Sequence, residues 1–277
     1  MNLTASVFQG IPPLVLGAAS PLVHVSDGRL TIDPGFLWQL GITKQTFMFM
    51  LGGALTLLFF WSYARRVGKE PVPSRWGNLV ESLLEFIRDQ MTRPFIGEHG
   101  DRYVPLITTF FVYILITNLL GLVPLFDYLG HGSNTGTGQL AITGALALSA
   151  FVSYHGLGIK EQGSLWTYFK NLFPHVPLFV LPIIVPVEII AHIVRPCALA
   201  IRLFANMLAG HTMIAVLLGF TVVFKEGFEI AGFAIAATSV LAVTALTFLE
   251  LLVAVIQAFV FAFLTTVFLA GAVHPEH

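Results

Sequence analysis

Residues 234–270 read AIAATSVLAVTALTFLELLVAVIQAFVFAFLTTVFLA, 37 positions without Gly or Pro and with a single charge, Glu250. At about 1.5 Å per residue, a helix of this length reaches about 55 Å. The hydrocarbon core of a bilayer is only about 30 Å thick. Fitting the helix wholly inside would need a tilt of about 60°, beyond the ~40° at the upper end of membrane helices. The segment therefore reads as a steeply oblique helix, or one that is kinked and partly emergent.

The preceding apolar block, 176–224, has the same character. Pro174, Pro177, Pro182 and Pro186 predict an irregular entry, Pro196 permits a kink, and 197–224 runs on without proline. Together the blocks predict a slanted antiparallel hairpin over about 176–273, turned at 225–230 (KEGFEI).

Three further apolar runs, 46–63, 104–126 and 139–159, have spanning length. Across the 277 residues, 56% are hydrophobic and 10% charged, with mean hydropathy +0.83. Soluble domains usually carry about 25% charged residues. The expectation is an all-α polytopic membrane protein with five to six membrane helices.

Seven of the fourteen Lys and Arg (Arg65, Arg66, Lys69, Arg75, Arg88, Arg93 and Arg102) lie between the first two runs, and Lys160 and Lys170 follow the third. The positive-inside rule makes both loops cytoplasmic, with the N-terminus outside and the C-terminus inside. Residues 1–43 form an extracytoplasmic N-terminal segment without the basic start of a secretory signal. The membrane domain is 44–277. Within it, 79–95 (LVESLLEFIRDQMTRPF) places apolar side chains at 79, 80, 83, 84, 87 and 91, the spacing of an amphipathic helix along the cytoplasmic interface. The Gly-rich stretch 127–138 lacks the Gly-Lys-Ser/Thr ending of a phosphate-binding loop and reads as a connector. Cys197, the sole cysteine, excludes an intrachain disulfide and reads as a packed apolar side chain.

Ionisable residues within the hairpin are Glu188, His192, Arg195, Arg202, His211 and Glu250, with Asn206 and Gln257 as neutral companions. Insertion scales assign an Arg or Asp at a helix centre about +2.5 to 3.5 kcal/mol, so so many together need a reason. Spacing puts Glu188, His192, Arg195, Arg202 and Asn206 on one helical face. Ala198, Ala205 and Ala209 beside Arg202 would let another helix approach closely. One antiparallel register brings Arg202 opposite Gln257 and His211 opposite Glu250. Arg202 is left without a carboxylate of its own chain. A guanidinium stays charged at any ordinary pH, so it suits a fixed contact for another chain's acid rather than a proton relay. His and Glu titrate, and a His/Glu pair suits a proton path.

PCALAIRLFANMLAGH at 196–211, LLVAVIQAFVFAFLTTVFL at 251–269 and TNLLGLVP at 117–124 resemble subunit a of F-type ATP synthases, from about residue 40 to the end. The resemblance implies a non-catalytic stator subunit of the membrane Fo sector, with no cofactor and no metal. Two offset half-channels would carry protons to and from the rotating c-ring, coupling the gradient to ATP synthesis. It implies that Arg202 faces the ring carboxylate, that Asn206, His211, Glu250 and Gln257 line the outer half-channel or neighbour the arginine, and that Glu188 serves the cytoplasmic one. His192 and Arg195 lie beside Glu188 in less defined roles. Partners would be the c-subunit ring, the b-subunit peripheral stalk, the rest of the complex and lipid, and no nucleic acid. The family's usual Gly is Ala205 here, and an acid found in many members is Gly121.

Two other classes fit the residues worse. A secondary transporter would call for an inverted repeat, and none is visible. An intramembrane enzyme would call for HExxH or Gly-x-Ser-x-Gly, both absent, and a haem subunit for paired histidines, which His175, His192 and His211 do not provide.

Overall fold

The computed structural model describes residues 44–67, 75–122, 136–172, 179, 181–225 and 229–273. The helices are α1 (Lys44–Ala64), α2 (Arg75–Ile87), α3 (Arg93–Ile96), α4 (Val104–Leu122), α5 (Leu140–Gln162), α6 (Leu165–Leu172), α7 (Leu181–Lys225) and α8 (Glu229–Val273). Among the described residues, five stretches are long and apolar enough to cross a membrane: Thr46–Ala64, Glu98–Leu122, Leu140–Gln162, Pro182–Ile214 and Ala237–Val273. The chain is an all-α polytopic membrane protein. The expected N-terminal segment 1–43, most of the 127–138 connector, and Pro174 and Pro177 lie outside the described residues.

Apolar surroundings oblige every backbone group to pair within its own helix, which is why spans are helical. The hydroxyls follow the same rule. Thr56, Thr108, Thr117, Thr265 and Thr266 each donate to the carbonyl one turn back, at 2.7–2.9 Å. These bonds keep polar side chains self-satisfied inside the bundle.

The two long helices, α7 and α8, have 45 residues each and pack against one another. The proline reading needs correcting here. Pro186 and Pro196 both lie inside α7, and the helix already begins at Leu181, so the entry is helical where irregular chain was expected. In a membrane, neighbouring helices and local adjustments offset the donor that each proline lacks.

α8 is the core element and touches α4, α5 and α7. Ala254, Ala258, Phe261, Ala262 and Leu269 are buried along it. Alternating Ala with Phe lets neighbours approach at the small residues and interlock at the rings, as with Phe110 on Phe261.

The amphipathic helix starts at Arg75, four residues before the predicted 79, and reaches Ile96 through a π-helical turn at Arg88–Thr92. Pro94 explains the turn, since it has no N–H for the carbonyl of Gln90 and its ring crowds that carbonyl. Thr92 donates its hydroxyl to the carbonyl of Ile87, five residues back, at 3.1 Å. The apolar face is seated by Val80, Ile87 and Met91, all buried. Phe86 and Phe95 meet Phe259 and Phe263 of α8.

Two contacts and a helix cap gather the basic segments at one end of the bundle. Arg102 pairs with Glu161 at 2.6 Å, joining the approach to α4 with the end of α5. Gln162 donates to the carbonyl of Ala272 at 2.9 Å, bringing the end of α8 to the same level. α5 stops at Gly163, whose left-handed φ of 74° lets its N–H close on Ile159 and turns the chain into α6.

Gly158 permits this junction. A Cβ there would lie 2.7 Å from the Tyr168 ring and 2.8 Å from the backbone oxygen of Ala272, which cannot swing away. Gly158→Val is expected to destabilise the protein by about 1–3 kcal/mol, the usual cost of overpacking. Thermal unfolding in detergent should show a lower midpoint for Gly158→Val and no decrease for Gly156→Ala, whose added methyl meets nothing within 4 Å.

Candidate functional site

Two polar clusters occupy different depths of the α7–α8 pair. The deeper one is centred on α8. Asn206 Nδ2 donates to Gln257 Oε1 at 2.8 Å, a bond across the two helices. Gln257 and Glu250 are 2% and 6% exposed. They are seven residues apart and so share one face of α8. Glu250 lies against Gly210 of α7, where a Cβ would come 2.5 Å from the carboxylate Oε1 and 2.8 Å from Cδ. The glycine therefore makes the room in which the carboxylate sits. From α4, fully buried Asn118 points its amide at the Ala254 carbonyl at 3.5 Å and accepts from Thr137 at 3.0 Å. With Ala272 at the basic end and 1.5 Å per residue, Gln257 lies about 22 Å along the helix and Glu250 about 33 Å.

The second cluster is at the basic end. His192 Nδ1 is 2.8 Å from the Glu188 carbonyl oxygen and 3.3 Å from its Oε1. A carbonyl can only accept, so Nδ1 carries the hydrogen and Nε2 is left as the base. Arg195 reaches Glu188 Oε1 at 3.5 Å and lies over the Phe268 ring, 5.4 Å from its centroid. The His192 ring is 5.7 Å from that of His155 on α5, and His155 Nδ1 is hydrogen-bonded to the hydroxyl of Tyr168 on α6.

Arg202 lies between the clusters, fourteen residues or about 21 Å along α7 from Glu188. It is exposed, and among the described residues no carboxylate comes within ion-pair distance of it. Ala198, Ala205 and Ala209 are exposed with it, as the sequence predicts. A shallow apolar recess of about 470 Å³ continues along this face past Ala205, Leu208, Ala209, Thr212 and Met213.

The predicted pairing needs a correction of one turn at Gln257, while Glu250 meets Gly210, one residue from its predicted partner. Gln257 is bonded to Asn206 and not to Arg202, because the buried side of α7 is centred on Leu199, Leu203 and Met207. That places Asn206 at the rim facing α8 and turns Arg202 outward. The expected single polar stripe is thus divided: Glu188, His192 and Arg195 are bound to one another, Asn206 turns to α8, and Arg202 turns away from both. His211 belongs to α7, but its side chain is outside the described residues, so its expected pairing with Glu250 is too. Asn118, Gly210, His155 and Tyr168 were not singled out from the sequence. Asn118 lay within TNLLGLVP, a signal that could have found it, whereas the others come from elements whose packing no motif reveals.

The Asn206–Gln257 bond should be measurable as a coupling. Asn206→Leu and Gln257→Leu, alone and together, are expected to give an interaction energy of roughly 0.6 kcal/mol, the average for hydrogen bonds between membrane helices. Thermal or denaturant unfolding of the four proteins gives the value directly, and strict additivity would deny the bond.

The model of the ATP synthase A chain family matches residues 46–270. ATP synthase subunit a of Myxococcus xanthus is 39% identical over 270 residues, covering 96% of this chain and 84% of that protein. The Rhodospirillum rubrum subunit is 34% identical over 263 residues, covering 95% and 98%. The Azorhizobium caulinodans subunit is 41% identical over 234 residues, covering 83% and 87%. The match includes both long helices, both polar clusters and Arg202, and the chain belongs to the ATP synthase A chain family.

Proposed function

We propose that this chain is the Fo stator subunit whose two polar clusters are the inner ends of two offset proton half-channels, with Arg202 between them as the fixed charge that meets the ring. The observation that carries this reading is the division itself. Titratable and amide groups gather at two depths on α7 and α8, and the one cation between them faces outward without a carboxylate among the described residues. A continuous pore would let protons leak. Two blind half-channels force each proton through an intermediate carrier.

The carrier fits the exposed face. Ala198, Ala205 and Ala209 allow a ring helix to approach, and its carboxylate would meet Arg202. An ionised carboxylate is costly in lipid and stable beside a guanidinium. A ring site can therefore turn away from Arg202 into lipid only after it is protonated, which couples proton entry to rotation. Glu250, Gln257 and Asn206, with His211 on the same helix, supply protons from the end remote from the basic loops. Glu188, with His192 and Arg195, receives them at the basic end.

The basic loops would be cytoplasmic by the positive-inside rule, leaving residues 1–43 outside and the C-terminus inside a bacterial inner membrane. On this reading α2 lies along the cytoplasmic interface, and 176–273 is the oblique hairpin. The c-ring and the b-subunit peripheral stalk are the partners in the complex.

The decisive variant is Arg202→Ala, assayed as ATP-driven acidification of inverted vesicles with the level of assembled complex checked. The expected result is loss of pumping with assembly intact. Normal pumping would remove Arg202 from this role and leave the polar groups as packing or lipid contacts.

A further inference from the structure

The basic-end cluster extends beyond α7. His155 on α5 and Tyr168 on α6 are joined through the imidazole Nδ1 and the hydroxyl, and the His155 ring lies 5.7 Å from that of His192. His155 Nε2 is buried, with no hydrogen-bond partner among the described residues. A ring nitrogen always carries a proton or a lone pair, so leaving Nε2 unused is costly unless water or a proton uses it.

Every element packed around this ring bears on it. Tyr154 and Phe151 flank it on its own helix. Tyr168 holds it from α6, where the fit depends on the absence of a side chain at Gly158. From α7 come His192, Glu188 and Arg195, and from α8 comes Phe268, which packs on Tyr154. Titratable groups from three helices thus converge at the end of the bundle where Lys160 and Lys170 lie.

We propose that His155 is a proton-relay residue between solvent at the basic end and the Glu188–His192 pair, and that Tyr168 is the residue that positions it. This rests on the half-channel reading above and extends it to two helices outside the hairpin. With Nδ1–H donated to the Tyr168 oxygen, Nε2 is free to take up a proton as the imidazolium. The ring returns to neutral by giving that same proton from Nε2 to water or to His192 Nε2, which is a base because its Nδ1–H is held by the Glu188 carbonyl. One proton enters and one leaves, and no bond other than N–H changes.

A collecting group matters most when protons are scarce, so its loss should show increasingly as the cytoplasmic pH rises. ATP-driven pumping per assembled complex is compared for His155→Gln, Tyr168→Phe and unaltered protein in inverted vesicles, whose bath is the cytoplasmic side, from about pH 6 to about pH 8, the range in which histidine titrates. Glutamine keeps a polar side chain of similar reach but cannot titrate. The expected ratio of His155→Gln to unaltered protein falls with pH, to a loss of about tenfold at the alkaline end, at the low edge of general acid–base effects. Tyr168→Phe should lower the rate and retain the titration. A ratio of one at every pH, a reduction that does not vary with pH, or a loss explained wholly by less assembled complex would each overturn the proposal. Arg202→Ala in the same vesicles separates the two levels: if it still pumps, the half-channel reading fails and the relay with it, whereas if it does not pump and His155→Gln is normal, only the relay fails.

Discussion

The structure depends on a mismatch of lengths. Helices of 45 residues are about 68 Å long, more than twice the ~30 Å of hydrocarbon available. They cannot stand upright within the core, so they run obliquely or emerge, and polar groups a few turns apart along them lie at different depths. Everything else supports that arrangement. α4 and α5 pack against α8 and hold it from one flank, while the face of α7 that carries Arg202 is exposed among the described residues.

The charges follow from that geometry. Near the basic end Glu188 is held by His192 and Arg195, so no group of the trio is isolated. At the greater depth, the acid is buried beneath a glycine and one hydrogen bond joins the amides of Asn206 and Gln257 across the helix pair. Arg202 belongs to neither cluster. A permanent cation on an apolar helix is costly in lipid without an anion beside it, which is why the proposed ring carboxylate suits this face.

Much of this was legible in the sequence because the membrane imposes simple rules. Apolar run length gave the spans, Lys and Arg placement gathered the loops, and helical spacing placed Ala198, Ala205 and Ala209 beside Arg202. The one-turn error in the partner of Gln257 has a plain cause: index sums assume parallel axes, whereas the buried ridge of Leu199, Leu203 and Met207 sets which side chains meet. The helical entry differs from the proline reading because Pro182 sits in the first turn of α7, where its missing N–H costs no bond, and Pro186 lies where neighbouring helices can compensate. His155 and Tyr168 were out of reach for another reason. They lie on different helices from the hairpin and 13 residues from one another, and only the close α5–α6 junction at Gly158 brings them to His192.

The most direct test of the central claim is sidedness. With the exposed Cys197 replaced by Ser, single cysteines at positions 188, 192, 250 and 257 are exposed to a small membrane-impermeant thiol reagent applied to right-side-out or inverted vesicles carrying the assembled complex. The account predicts that 188 and 192 react only from the side of the basic loops and that 250 and 257 react only from the other. Reaction of both pairs from one side would contradict it, since a single aqueous entry cannot separate the two proton paths that Arg202 is argued to divide.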